Sequence, residues 1–407
     1  MRIFKMGFLL VSMVFGSNQI NEKWATSQNC KGCHTNITSK WELSRHANSH
    51  YSKNDLFKKT LDYIAKNNPT KLLDEIKLDC AKCHNPRVSE RKVNVEDKIS
   101  ILFDDKNTTK HYDNVLNNAN MKNGINCVVC HNIDQIHLYK QKGSKGMNNV
   151  YFGKQGTMFG PFDDAHSPYH KTEQRKHFAG DNPKLCFVCH YSAKNEHGLS
   201  VYATGKEYDD IKARAKVKDQ VPGCKICHMS KRKRGFASNY APDGQQPKLR
   251  MVRVHRFASV DNSNIMNDYI GVKGRYDEDS DKFIVSLQNK TPHKLPTGYG
   301  GREVIVLVKY FNNDDQLLGA SVYTLETKYV DSQNRLTIPH MATKVLSDTR
   351  LAPYAQRNLK FNVPRGATYV KYSLSYRLIN KDLAKELNIT DKFFLKDYTF
   401  FEQRIHL

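Results

Sequence analysis

The sequence predicts an α+β protein in which a mainly helical, loop-rich part is followed by a small antiparallel β-sandwich. All ten cysteines lie within the first 227 of the 407 residues. The segments between them are polar and contain only short helical stretches. Beyond about residue 261, alternating runs of β-branched and aromatic residues are separated by polar turns, which is the pattern of a β-sandwich. We therefore expect one domain at 17–260 and a second at 261–407.

Five motifs of the form C-x-x-C-H contain all the cysteines, so no thiol is left for another purpose. The cysteines are Cys30 and Cys33, Cys80 and Cys83, Cys127 and Cys130, Cys186 and Cys189, and Cys224 and Cys227. The histidines that follow them are His34, His84, His131, His190 and His228.

This pattern predicts five c-type haems. Two cysteines separated by two residues can form thioether bonds to the vinyl groups of one haem, and the adjoining histidine then binds its iron. A zinc site or a disulfide also uses C-x-x-C, but neither requires histidine at the next position. Five coincidental histidines are far less probable than covalent haem.

The first residues predict export. Two cations, Arg2 and Lys5, precede the apolar run 6–15, and this order fits a secretory signal peptide at 1–16. The run is shorter than the roughly 20 residues of a membrane-spanning helix. We therefore expect a periplasmic protein with no transmembrane segment in the mature chain. An uncleaved N-terminal anchor is the alternative.

The chain is strongly basic, with a formal net charge of +23 that haem propionates would only partly offset. Nucleic acid is an improbable partner for an exported protein. The charge favours docking to acidic or membrane-associated redox partner proteins, although a merely soluble, lysine-rich surface explains it about as well. The basic run 231–234 is open to the same two interpretations.

Short helices are predicted at 54–65, after an Asn54 cap, and at 207–219. Such segments are too short and polar to build a conventional core of this size. We therefore expect the porphyrin faces to supply much of the apolar packing surface, and the apoprotein to be poorly folded.

The sixth ligand of each iron decides between two functions. A second histidine leaves a haem that only transfers electrons, whereas an open position lets a substrate bind. Seventeen histidines less the five in the motifs leaves twelve, which is enough for five bis-histidine haems. Position relative to the motifs singles out His46, His137, His166, His170 and His255.

The residues resemble multihaem c-type cytochromes of the c-552/c-554 group, which are akin to the tetrahaem electron acceptor of hydroxylamine oxidoreductase. The resemblance covers about 24–260 and rests on Trp41-x-x-Ser44-x-His46, on the turn 160–164 with its following histidine, and on 255–257. It implies the distal ligands His46, His137, His170 and His255. The fifth motif departs from the tetrahaem pattern, so the iron that each would bind is left open.

The second part is predicted from strand-like runs at 282–288, 303–311, 321–330, 357–363 and 368–377. Some multihaem cytochromes carry a similar tail, marked by a stretch like 292–298. Its prolines and glycine could hold His293 against the haem part as a fifth distal ligand. A structural turn with an incidental histidine is the alternative, and His177 would then be the substitute ligand.

The sequence therefore predicts an exported electron-transfer protein of an anaerobic respiratory chain. The alternative is a multihaem oxidoreductase that acts on a small nitrogen or sulfur compound at one open haem. Multihaem enzymes often replace one motif histidine with lysine, and all five motifs here end in histidine. Electron transfer is accordingly favoured.

Overall fold

The structure is a computed structural model that describes residues 24, 26–90, 92–138, 144–215, 220–240, 246–261 and 264–407. The signal peptide predicted at 1–16 lies outside these residues. The helices are α1 (Gln28–Lys31), α2 (Thr35–Glu42), α3 (Asp55–Asn67), α4 (Leu73–His84), α5 (Val95–Leu102), α6 (Lys106–Asn117), α7 (Cys127–His131), α8 (Lys184–His190), α9 (Thr204–Arg214), α10 (Cys224–His228), α11 (Ile265–Tyr269), α12 (Lys381–Glu386) and α13 (Lys392–Leu395).

The five motifs lie on single helical turns. The second motif ends α4, the third forms α7, the fourth ends α8 and the fifth forms α10, while the first begins in α1 and ends at His34, the N-cap of α2. Residues three and four apart share a helix face. A helical turn therefore places both cysteines and the histidine of a motif on the same side.

Helix α3 shows how the local sequence sets these elements. The Asn54 side chain accepts a hydrogen bond from the backbone N–H of Phe57 at 3.0 Å, and Asp55 lies in the first turn. Both features favour a helix start at this position. The apolar face of α3 buries Leu61 and Ile64.

Short strand pairs connect the helices of the first part. They are β1 (Ile133–Ile136) with β2 (Val150–Phe152), β3 (Thr157–Gly160) with β4 (Lys171–Gln174), β5 (Ala193–Lys194) with β6 (Ser200–Tyr202), and β7 (Lys233–Phe236) with β8 (Leu249–Val252). The β3–β4 pair is parallel and the others are antiparallel.

Two larger antiparallel sheets form the second part. Their strands are β9 (Ile270–Asp277), β10 (Lys282–Asn289), β11 (Glu303–Phe311), β12 (Leu317–Leu325), β15 (Gln356–Asn362), β16 (Tyr369–Arg377) and β17 (Tyr398–His406), and a separate hairpin joins β13 (Thr327–Val330) to β14 (Lys344–Asp348). The strand orders are β15-β10-β9 and β12-β11-β16-β17. Alternating residues of both sheets, including Phe283, Val306 and Leu374, share one buried core.

The predicted α+β fold class is therefore confirmed, with a helical first part and a strand-rich second part. The predicted run 321–330 is divided between β12 and β13, and strands β9, β14 and β17 were not predicted. A second core joins the two parts, because Leu61 and Ile76 of α3 and α4 cluster with Ile338, Leu383 and Phe394. The C-terminal segments thus help to hold the second motif, which ends α4.

Candidate haem-binding site

One continuous cavity of about 1780 Å³ collects the residues of all five motifs. All ten cysteines and all five motif histidines line it, together with His46, His166, His170, His255, His293 and His340. A pocket for a single small ligand is typically on the order of 300–1,000 Å³. The cavity is therefore larger than one small-molecule site requires, and its lining carries the residues that attach haem.

The cysteines bring the motifs next to one another. None of the ten forms a disulfide, so each thiol is free for a thioether bond. Side chains from different motifs contact one another in three pairs, which are Cys30 with Cys127, Cys83 with Cys189, and Cys186 with Cys224. The first motif therefore adjoins the third, and the fourth adjoins both the second and the fifth.

Backbone carbonyls orient three of the motif histidines. Nδ1 lies 2.6 Å from the Ala237 oxygen in His34, 3.1 Å from the Ser49 oxygen in His84, and 2.7 Å from the Phe159 oxygen in His131. A carbonyl can only accept a hydrogen bond, so Nδ1 carries the proton in each ring. The lone pair then belongs to Nε2, which is the arrangement of a metal-binding histidine.

Four other histidines lie opposite motif histidines. The ring centres are 6.4 Å apart for His34 and His170, 6.1 Å for His190 and His46, 6.3 Å for His131 and His255, and 6.4 Å for His228 and His293. Two imidazoles bound to opposite sides of one metal through bonds of about 2.0–2.1 Å would have ring centres roughly 6.3 Å apart. The spacing therefore fits an iron between each pair.

Three of the four distal histidines are oriented in the same way as the motif histidines. Nδ1 lies 3.0 Å from the Arg253 oxygen in His255, 3.1 Å from the Lys294 oxygen in His293, and 3.3 Å from the Lys171 oxygen in His170. Each Nδ1 therefore donates to a carbonyl and leaves Nε2 for a metal. The residues present fit haem iron with two axial imidazoles.

Burial keeps four of these imidazoles neutral. Burial lowers the pKa of His46 to about 3, and the neighbouring His190 lowers it further in the same direction. Burial also lowers the pKa values of His190, His228 and His255 to about 4. A neutral imidazole is the form that binds a metal, so no proton has to be displaced at neutral pH.

The second motif differs from the other four. The ring next to His84 is that of Phe57, whose centre is 4.0 Å away at an interplanar angle of 18°. Among the described residues, no histidine ring lies opposite His84 at the spacing of the other pairs. His340 lines the same cavity, and its pKa is lowered to about 4 by burial and then by the charges of Lys145 and His84. Its Nδ1 is buried without a hydrogen-bond partner.

His137, which the sequence predicts as a distal ligand, is not brought opposite a motif histidine. Its backbone N–H donates to the Asn149 carbonyl at 2.7 Å, beside the β1–β2 pair, and its Nε2 lies 3.1 Å from Gln135 Oε1. The ring contacts Tyr151 at 4.8 Å and does not line the cavity. Closeness to the third motif along the chain therefore does not by itself place the His137 ring in the cavity.

Two further histidines do not lie opposite a motif histidine either. His177, the substitute for His293, is buried against Phe178 and does not line the cavity. In His50, Nδ1 contacts the Ser52 hydroxyl at 2.7 Å and Nε2 contacts the Leu116 carbonyl at 2.9 Å, so neither nitrogen is available.

His340 lines the cavity, but its sequence context did not single it out as a site residue. The reason is that it lies between β13 and β14, far along the chain from any motif.

Phe257 connects two of the histidine pairs. Its ring centre is 4.3 Å from that of His46 and 6.3 Å from that of His255. Its backbone has a φ of 56°, a left-handed conformation that is uncommon for a bulky residue. This turn places an aromatic ring between the distal ligands of the third and fourth motifs.

A hydrogen-bond network positions His293. The buried Asn289 amide donates to the carbonyls of His293, Leu351 and Ala352 at 2.8, 3.3 and 3.0 Å. On the other side of the turn, Glu207 of α9 accepts from the Lys294 N–H at 2.9 Å. The loop that carries His293 is therefore tied to both parts of the chain.

The cavity, the motifs and the paired imidazoles define a c-type cytochrome that binds several haems. The family model described as cytochrome c554 and c-prime matches residues 29–132. No curated protein has significant sequence similarity to the chain. Within the described residues, no helix is long and apolar enough to cross a membrane.

The fold is similar to the crystal structure of a penta-heme cytochrome c552 from Thermochromatium tepidum. The TM-score is 0.68 at 18% sequence identity, and the alignment covers 94% of this chain and 98% of that one. At this identity the likeness shows a shared fold. Both comparisons agree with the predicted resemblance to multihaem c-type cytochromes of the c-552/c-554 group.

Proposed function

We propose that the protein is an exported, periplasmic pentahaem cytochrome that transfers electrons between redox partner proteins. The observation that carries this proposal is the set of four imidazole pairs at 6.1 to 6.4 Å. Iron with two histidine ligands has no position for a substrate and changes only its oxidation state. Covalently held haem, when bound, supplies this one-electron chemistry.

The chain's own residues position these redox centres. The thiol contacts join the first motif to the third, and they join the fourth motif to both the second and the fifth. The thiols of Cys130 and Cys186 also influence each other electrostatically, which connects the third motif to the fourth. This series supports electron passage from one end of the cavity to the other.

The experiment that tests this function uses the native holoprotein. Mass spectrometry should show the processed polypeptide plus five haems, and electron paramagnetic resonance of the oxidised protein should show low-spin signals from four haems. A mass equal to that of the bare polypeptide, or high-spin signals from most haems, would overturn the proposal.

The second motif favours one additional candidate function. His84 has no opposite histidine at the spacing of the other pairs among the described residues, so the haem bound there would keep an open position. A small nitrogen or sulfur compound could bind that iron, with His340 among the residues that line the cavity. Titration with carbon monoxide or nitrite should then change the spectrum of one haem in five. No spectral change would leave electron transfer as the sole function.

A further inference from the structure

We propose that the hairpin β7–β8 is the docking site for an acidic redox protein, which exchanges electrons with the haem of the first motif. This inference rests on the proposed electron-transfer function and adds the place and the chemistry of the partner. In each encounter one electron leaves the partner's centre, which is oxidised, and reduces a ferric haem iron to ferrous.

The hairpin is joined directly to the first motif. Strand β7 ends at Phe236, and the carbonyl of the next residue, Ala237, accepts from Nδ1 of His34 at 2.6 Å. The backbone N–H of Asn239 donates to the Cys33 carbonyl at 2.7 Å. A partner bound on this hairpin would therefore lie beside the axial ligand of one haem.

One face of the hairpin presents apolar side chains. The register pairs Arg234 with Met251 and Phe236 with Leu249, so these four residues share a face. Phe236, Leu249 and Met251 are 43%, 45% and 47% exposed, and Met251 also lines the large cavity. The opposite face packs on the protein, because the Arg250 guanidinium lies 4.5 Å from the centre of the Phe162 ring.

The charge beside this apolar face is positive. The four residues 231–234 are all exposed cations, and they form no ion pair with any of the described residues. Lys248 and Arg250 differ in this respect, since both pair with Asp164. An apolar centre with a charged edge is the surface of a small, transient interface, in which charge accelerates encounter.

An acidic protein fits this surface better than a lipid surface does. The apolar side chains are only half exposed, which suits contact with another protein more than insertion into a bilayer. The position beside His34 is useful only to a partner that carries a redox centre, and a lipid headgroup carries none.

The test uses reduced plant-type ferredoxin, an acidic iron–sulfur protein, as the probe. The variant replaces Lys231, Arg232, Lys233 and Arg234 with glutamine. A control variant removes the same charge elsewhere by replacing the exposed residues Lys309, Lys360, Lys381 and Lys385 with glutamine. Stopped-flow reduction of the holoproteins gives the second-order rate constant, and calorimetry with oxidised ferredoxin gives the affinity.

At low ionic strength, we expect the hairpin variant to lose on the order of tenfold in both rate constant and affinity, because electrostatic steering has that scale. The control should change by less than about twofold. The difference should shrink as the Debye length falls from about 10 Å at 0.1 M salt to about 3 Å at 1 M. The uncharged substitutions F236S and L249S, at residues that do not line the large cavity, should weaken affinity even at high salt, whereas L102S and F103S at the exposed end of α5 should not.

Equal losses in the hairpin and control variants would overturn the docking site, since net charge alone would then explain them. Loss of binding to phosphatidylserine vesicles in the hairpin variant, with unchanged ferredoxin kinetics, would overturn it in favour of a membrane. In both cases dithionite should still reduce every haem, so the electron-transfer function would stand. A holoprotein whose haems dithionite cannot reduce would contradict that function itself.

Discussion

The imidazole rings of His228 and His293 lie 6.4 Å apart, centre to centre, although one belongs to a motif helix and the other follows strand β10. The fifth motif is therefore completed by a residue from the strand-rich part. Because the loop of His293 is also tied to α9 through Glu207, the two parts of the chain form this site together. Loss of His293 should affect one haem and leave the others intact.

We expect His293→Ala to convert one haem from low spin to high spin, because its iron loses an axial ligand. Electron paramagnetic resonance and carbon monoxide binding measure this change. The matched control is His111→Ala, since His111 is exposed, contacts Tyr112 and does not line the cavity. An unchanged spin state in the His293 variant would mean that another residue binds this iron.

The Asn289 side chain should affect both the folding stability and the binding of iron by His293. Replacing it with leucine leaves several buried carbonyls and the Thr291 N–H without their partner, and each unsatisfied group costs about 1–3 kcal/mol. We expect a lower free energy of unfolding and a partial high-spin signal, because the His293 loop loses its support. Denaturant unfolding and resonance spectra report the two effects.

A surface asparagine provides the control for this variant. Asn358 on β15 is exposed, and among the described residues its side chain hydrogen-bonds only to the Ser286 hydroxyl across the sheet. Replacing Asn358 with leucine should change stability by less than about 0.5 kcal/mol. Equal destabilisation in both variants would show that Asn289 has no special part in holding the loop.

A buried ion-pair cluster stabilises the second part. Arg377 pairs with Glu303 across β16 and β11, and its Nε lies 2.6 Å from Asp397 Oδ1. Both Arg377 and Glu303 are buried. Replacing Arg377 with methionine should cost about 3–5 kcal/mol, because it leaves an uncompensated buried carboxylate.

The double variant Arg377→Met with Glu303→Leu tests that reason. Removing both charges should recover much of the lost stability, since well-packed apolar residues often replace a buried pair at little cost. Denaturant unfolding of the single and double variants gives the coupling energy. A double variant as unstable as the single one would indicate lost packing instead of an unpaired charge.

The haem-attachment residues could be predicted from the sequence because their chemistry is local. Two cysteines and a histidine on one helical turn need no knowledge of the rest of the fold. Among the distal histidines, sequence context indicated His46, His170, His255 and His293, which the structure brings opposite motif histidines. Their partners could not be assigned, because each contact joins segments far apart in the chain.

The differences between these predictions and the structure have the same physical origin. His137 was chosen for its closeness to the third motif, but pairing of β1 with β2 fixes its backbone elsewhere. Strand β9 was missed because Gly274 takes the place of an apolar residue in its alternating pattern, yet pairing with β10 makes it a strand. Tertiary contacts overrode the local signal in both cases.

The ion pairs of Asp164 should make the β7–β8 hairpin sensitive to acid. Hydrogen bonds from Arg250 and then Lys248 hold the pKa of this carboxyl well below its ordinary value. Since the unfolded value is about 3.9, the contact stabilises the folded hairpin above that pH. The stabilisation is lost as the pH falls through the lower, folded pKa. The rate of backbone amide hydrogen exchange in 249–252, divided by the intrinsic rate at each pH, should be constant around neutral pH and should rise only in acid.

Asp164→Asn removes the charge at every pH, so we expect faster exchange in 249–252 already at pH 7. Asp62→Asn is the control, because Asp62 is exposed on α3 and forms no ion pair with the described residues. Mass spectrometry of peptides from the hairpin measures both variants. If exchange in 249–252 were the same in Asp164→Asn as in the unmodified protein, the packing of Arg250 on Phe162 would suffice to hold the strand, and the carboxylate would have no role in presenting the hairpin.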